Sequence, residues 1–214
     1  TSLAGQVVGP GIVVDVSKYF NRVIEINTAE GWVRVQPGIV RDDLNQYLKP
    51  YGFFFAPETS TANRAMIGGM IGNNSCGSNS VVYGSVREHL LEVDTILSDG
   101  SKAWFGAMDT NDFYARAKGM TGSPAESRVY SHIEKILSDP DNRQEIEQEF
   151  PKPSIPRRNT GYALDMLARM QPFTPEGDRF NFCSLIAGSE GTLAFVVSAK
   201  LKLSPLMPPH KRLV

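Results

Sequence analysis

The sequence is poor in cysteine and histidine and carries almost no excess charge. Its 214 residues hold two cysteines, Cys76 and Cys183, far apart and without CxxC or zinc-ligand spacing. That pattern speaks against a disulfide framework and fits a reducing, cytoplasmic setting with two free thiols. The histidines, His89, His132 and His210, are widely spaced and form no HExxH, so no metal site is expected. A formal net charge of -1, without a basic stripe, argues against a nucleic-acid surface, which needs phosphate-neutralising cations. No apolar run approaches the roughly 20 residues of a membrane-spanning helix, and TSLAGQVVGPG lacks the regions of a secretory leader. The first residue is not methionine and TSLAG is loop-like, so the chain reads as a fragment.

Several familiar catalytic phrases are missing too. GPGIVV (9–14) has Val14 where a dinucleotide fingerprint needs glycine, and it precedes a candidate strand instead of following one. There is no GxxxxGK[ST] phosphate loop. Ser189 sits directly after Gly188, which does not satisfy the GxSxG elbow of a serine hydrolase. Cys76, without a histidine nearby in sequence, reads more simply as a small residue in a tight loop than as a reactive thiol.

What is present is an alternation of hairpins and helices. GIVVDVS (11–17) is a β-branched run that predicts a buried strand. VIEINTAEGWVRVQPG (23–38) alternates apolar and polar residues around AEG, which predicts a hairpin. In 40–52, Leu44, Tyr47 and Leu48 at helical spacing predict a helix ending at Pro50 and Gly52. Residues 89–101 and KAWF form a second strand pair around an Asp-Gly turn. Between Thr110 and Phe150 the chain turns charged and helical, with a stripe of Val129, Ile133, Ile136 and Leu137. NTGYALDMLARM predicts a short helix capped by Asn159 or Thr160, and FNFCSLIAGSEGTLAFVVSAKLKLSP two apolar strands flanking GSEGT. The class is α+β.

MIGGMIGNNSCGSNS (66–80) stands apart. It has four glycines, three asparagines and three serines, and no charge. Glycine costs roughly 1 kcal/mol against alanine inside a helix, and asparagine and serine favour turns, so the run suits neither helix nor strand. Glycine does let main chain approach a ligand, and exposed N–H groups make anion-binding concavities. A plain linker would not carry Met66, Ile67, Met70 and Ile71 among its glycines. The wider segment 57–85 therefore reads as a wall for a long, polar, partly anionic molecule such as a nucleotide cofactor.

These elements resemble the flavin-binding domain of the vanillyl-alcohol oxidase and p-cresol methylhydroxylase (PCMH-type) superfamily. The matching phrases are TSLAGQ (1–6), VQPG (35–38), PETST (57–61), IGGMIGNNSCG (67–77), YGS (83–85), RNTGYALD (158–165) and GSEGTLA (188–194). Their order is similar to that of FAD-linked D-2-hydroxyacid dehydrogenases acting on D-lactate, glycolate or D-2-hydroxyglutarate, particularly bacterial proteins fused to iron-sulfur modules. The resemblance implies two α+β subdomains with FAD between them, the N-terminal one truncated and the second an antiparallel sheet flanked by helices. Residues 1–20 would be the remnant of the first subdomain, ending the pyrophosphate loop and adding a strand. Residues 21–205 would be the second, with a helical insertion at about 110–157, and 206–214 a C-terminal linker.

The same resemblance assigns cofactor contacts to Thr1, Ser2 and Leu3; to Pro57, Glu58 and Thr59; to Gly68, Gly69, Asn73, Asn74, Ser75 and Gly77; to Tyr83 and Gly84; and to Glu190, Gly191 and Thr192. FAD would be held non-covalently, since TSLAGQ has neither histidine nor cysteine. Iron-sulfur clusters would belong to the full-length protein. The implied reaction is hydride transfer from the α-carbon of a D-2-hydroxy acid to flavin, with an electron acceptor as the further partner and the fragment alone inactive. Arg157, Arg158 and Tyr162 are the catalytic candidates, against the alternative of a basic loop facing solvent. Ala194 replaces the family's usual glycine. The competing functions are a non-catalytic flavin or nucleotide-binding module and an enolpyruvyl-sugar reductase of the same fold.

Overall fold

The computed structural model describes residues 9–155, 158 and 161–206. Thr1, Ser2, Leu3 and Arg157, the cap candidates Asn159 and Thr160, and nearly all of the expected linker lie outside the described residues.

Alternation in the sequence becomes a hairpin of β1 (Val23–Asn27) and β2 (Trp32–Val35), turned at Gly31, whose φ is 67°. Val33 and Val35 are fully buried while Trp32 and Arg34 point to the opposite face, as a period of two requires. A second hairpin pairs β4 (Leu90–Ile96) with β5 (Lys102–Gly106). The long strand β6 (Phe195–Lys202) lies between these hairpins, antiparallel to both β2 and β4. The sheet order is β1-β2-β6-β4-β5. A small pair, β3 (Phe53–Phe54) with β7 (Ser204–Pro205), sits beside it.

One sheet face supplies the core through Val33, Val35, Val93, Phe105, Ala199 and Leu201. The other carries a charge network: Arg34 and Lys200 reach Glu92 at 2.5 and 2.8 Å, and Arg34 also meets Asp94 at 3.1 Å. The expected helix after the first hairpin is α1 (Arg41–Leu48), burying Leu44 and Leu48. The charged stretch forms α4 (Thr110–Ala117), α5 (Pro124–Ser138) and α6 (Pro140–Glu149). Ser123 and Glu126 close a capping box at the start of α5, and Asp139 caps α6. These helices are fixed by an aromatic cluster in which Phe113 meets Phe180 at 4.7 Å and Tyr130 meets Phe182 at 4.8 Å. No described helix is long and apolar enough to cross a membrane.

Four expectations are corrected. GIVVDVS forms no strand; Ile12, Val13 and Val14 are exposed, with no described strand beside them to complete a ladder. The glycine run is helical over α2 (Ile67–Gly72), because Ile67, Met70 and Ile71 fall at i, i+3 and i+4 and all three are buried. Burial of that face outweighs the glycine penalty. FNFCSLIA is not a strand but contains α8 (Cys183–Ile186), buried on every side; a short apolar run cannot distinguish the two by periodicity. Finally, α7 (Leu164–Ala168) starts after Ala163 without a side-chain cap.

Candidate functional site

The site is built on α2. Its first amides are satisfied by the loop after β2: Ile67 donates to the Ile39 carbonyl at 2.9 Å and Gly68 to Pro37 at 2.8 Å. A Cβ on Gly68 would stand 2.8 Å from Pro37 Cβ, so this glycine lets VQPG and IGGMIG touch. After α2 the chain folds back on itself. Asn73, Asn74 and Ser75 donate to the carbonyls of Gly69, Ile71 and Met70 at 3.1, 3.1 and 2.9 Å. The amides of Gly68, Asn73, Asn74 and Ser75 are thus engaged within the chain, and Ser75 Oγ donates to Asn73 Oδ1 at 2.6 Å.

Asn74 is buried with φ at 50°, a conformation asparagine tolerates better than most residues. Its Oδ1 accepts from the Arg87 amide at 2.9 Å and from Ser85 Oγ at 2.8 Å, tying the glycine run to YGS. Glu58 accepts from Asn79 Nδ2 at 2.5 Å, and a Cβ on Gly77 would stand 2.9 Å from the Glu58 carbonyl, so PETST lies directly against the 77–79 turn. Pro57 is buried; Thr59 Oγ1 sits 3.4 Å from Thr61 Oγ1. Tyr83, the last residue of the short α3 (Ser80–Tyr83), packs edge-on against Phe54, and Gly84 takes φ at 76° to turn the chain.

GSEGT docks on the end of α2. Gly188 donates to the Ile71 carbonyl at 2.9 Å and Glu190 to the Gly72 carbonyl at 2.8 Å. Glu190 and Gly191 have φ of 53° and 73°, and Gly191 presents bare main chain to open space. The phenol of Tyr162 meets Thr192 Oγ1 at 2.5 Å, bringing the RNTGY element to the same place. Ala194 packs against the core. Arg158, in contrast, is committed: its guanidinium pairs with Asp165, which is buried and also receives Arg169 Nη1 at 3.1 Å. A cavity of about 220 Å³ opens between Cys76, Ser85, Arg87, Ile155 and Arg158.

Burial pushes the His89 imidazole below its ordinary pKa, against the Ser85 carbonyl, 2.9 Å from Nδ1, and the nearby Glu88, which both favour the proton. The unfolded chain therefore takes up this proton first. Stability should be full above the unfolded value of about 6.5 and fall as pH drops from there through the folded pKa. His89→Gln is expected to flatten that slope, read as denaturant midpoints at pH 7 and 5; parallel wild-type and variant curves would remove His89 from the account.

Residues 1–106 match the family model described as an FAD binding domain. The chain carries a domain of the FAD-binding family. FAD is the cofactor of that family, and the match begins in TSLAGQ and takes in PETST, the glycine run and YGS. The chain is 41% identical over 216 residues to D-2-hydroxyglutarate dehydrogenase of Escherichia coli (strain K12), covering 100% of this chain and 20% of that protein. It is 40% identical over 210 residues to the Pseudomonas putida protein of the same name, covering 96% of this chain and 19% of the relative. Against the mitochondrial D-lactate dehydrogenase [cytochrome] 1 of Saccharomyces cerevisiae it is 29% identical over 145 residues, 62% of this chain and 24% of that one. The chain spans about a fifth of the length of the D-2-hydroxyglutarate dehydrogenases it matches.

The donor set fits a flavin dinucleotide. The surface formed by 57–85 and 188–192 offers neutral hydroxyls and amides beside bare glycine backbone, suited to a ligand whose ribitol, phosphates and ring edge are all hydrogen-bonding groups. Sequence reasoning missed Arg87, which lies beneath this surface. No motif distinguishes a buried arginine from an exposed one.

Proposed function

We propose that this chain is the flavin-holding part of an FAD-dependent dehydrogenase that oxidises a D-2-hydroxy acid, with D-2-hydroxyglutarate the first substrate to test. The observation that carries this reading is the convergence of PETST, the glycine run, Tyr162 and GSEGT on one surface, in a chain 41% identical along its whole length to a D-2-hydroxyglutarate dehydrogenase. FAD, when bound, supplies the hydride acceptor. The chain's own residues bind and orient: Glu58, Thr59, Asn73, Tyr83 and Thr192 would line the cofactor, with main chain at Gly69, Gly84 and Gly191 allowing close approach.

Arg158 acts here by fixing α7 through Asp165; among the described residues of the RNTGY element, Tyr162 carries the exposed polar side chain, its hydroxyl against Thr192. The proton acceptor for the substrate hydroxyl and the cations for its carboxylate would then come from elsewhere in the longer protein, as would the electron acceptor and any iron-sulfur clusters. In the same reading, residues 1–20 belong to a first flavin subdomain, 21–205 to a second, and 110–157 to an insertion within it.

The test is to express the full-length protein, remove and restore FAD, and record the visible spectrum on anaerobic addition of D-2-hydroxyglutarate, D-lactate or glycolate. Bleaching by one of them is the expected result. A protein that takes up no FAD would end the reading, and one that binds FAD but bleaches with none of the three would end the substrate assignment alone.

A further inference from the structure

Arg87 is 5% exposed, and among the described residues no carboxylate lies within ion-pair distance of it. Its donors go instead to main-chain carbonyls. Nε reaches Ser184 at 2.9 Å, while Nη2 reaches Ala187 at 2.6 Å and Gly161 at 3.0 Å. Its own amide donates to Asn74 Oδ1 at 2.9 Å. One residue thus joins the turn after α2, the C-terminal end of α8 leading into GSEGT, and the turn that presents Tyr162. The turn after α2 is 13 residues away along the chain, whereas Gly161, Ser184 and Ala187 are 74, 97 and 100 residues away.

The surrounding backbone is shaped to this side chain. Gly188 takes φ at 96°, and a Cβ there would stand 2.7 Å from Arg87 Nη2 and 3.0 Å from the Gly161 carbonyl. Glu88, the adjacent acid, is turned away, its Oε2 accepting from the Ser85 amide and hydroxyl at 2.6 Å. Burying a guanidinium against carbonyls alone is costly, and burial here disfavours its charge. An apolar side chain could fill the same space. Only a planar, multidentate donor could fix three carbonyls in one arrangement.

We propose that Arg87 is a positioning residue for the flavin surface: it sets GSEGT and the Tyr162 turn against α2 in the arrangement that receives the cofactor. The inference rests on the flavin reading above. Lysine at this position keeps the charge but cannot make three directed bonds, and alanine at Gly188 displaces the guanidinium without removing it.

The experiment compares Arg87→Lys, Gly188→Ala and Leu137→Ala in the full-length protein, by FAD titration of the apoprotein and by thermal melting. Leu137 is fully buried on α5, an element that contributes none of the groups above, so its variant reports what lost stability alone does. Arg87→Lys and Gly188→Ala should each raise the Kd for FAD about tenfold or more, the loss of one charge-assisted hydrogen bond's discrimination. The flavin they retain should show altered visible circular dichroism. Leu137→Ala should melt lower yet keep its Kd within about twofold. If Arg87→Lys fails to fold, Gly188→Ala carries the comparison. Wild-type Kd and dichroism in either variant, or a Kd in Leu137→Ala that rises in step with its lost stability, would overturn the proposal. If wild-type protein binds no FAD, the flavin reading itself falls first, and this inference with it.

Discussion

Gly68→Val should destabilise the protein by roughly 2 to 3 kcal/mol and empty it of flavin in the same step. The added Cβ would stand 2.8 Å from Pro37 Cβ and 3.3 Å from its carbonyl oxygen, and the γ-methyls of valine would add to the crowding. Pro37 is held by a ring and cannot rotate aside, so α2 must move. That movement breaks the 2.8 Å bond from the Gly68 amide to Pro37 and the 2.9 Å bond from Ile67 to Ile39. Because GSEGT hangs from α2 through the Ile71 and Gly72 carbonyls, it moves too. Urea unfolding and the FAD content of the purified full-length protein measure both effects. A Gly68→Val protein with wild-type midpoint and full flavin would show that α2 does not depend on this contact.

Asn74→Ala should cost about 3 kcal/mol, through two separable losses. Removing Oδ1 leaves the buried Arg87 amide without its acceptor and takes from the Ser85 hydroxyl one of its two acceptors, Glu88 Oε2 at 2.6 Å being the other. Alanine must also occupy φ of 50°, which costs a non-glycine residue roughly 1 to 2 kcal/mol. Asn74→Gly suffers the first loss and escapes the second, so it should lie between wild type and Asn74→Ala in equilibrium unfolding. If glycine proved worse than alanine, backbone strain would have no part in the effect.

Sequence made the sheet's hairpins legible because half-buried strands write their burial as alternation, as at Val33 and Val35. It failed where burial is complete or partners are remote. FNFCSLIA is apolar on all sides and has no period to read. GIVVDVS has strand-like residues, but a strand is made by its neighbour, and no described strand lies beside it. The glycine run misled in the opposite sense: composition suggested an open loop, while Ile67, Met70 and Ile71 already had helical spacing. Gly68 and Gly77, read from sequence as room for a ligand, also make room for the chain's own Pro37 and Glu58, which no local pattern reveals. Arg158 stands out in the sequence as a candidate cation but not as the partner of Asp165, because a salt bridge across seven residues depends on how an irregular segment folds.

The place of β6 in the sheet has a consequence for how the protein is made. A ribosome completes the hairpin β1-β2 early and the hairpin β4-β5 some time later, yet these two never touch across a ladder of their own; β6 lies between them. The contact of Lys200 with Glu92 spans 108 residues of chain, which is a slow kind of closure. Until β6 emerges, both hairpins expose an unpaired edge, the condition that invites mispairing and chaperone attention. GSEGT lies just before β6, so in the proposed reading the cofactor surface and the sheet are finished at the same moment of synthesis, and a nascent chain would hold no flavin before it has a fold.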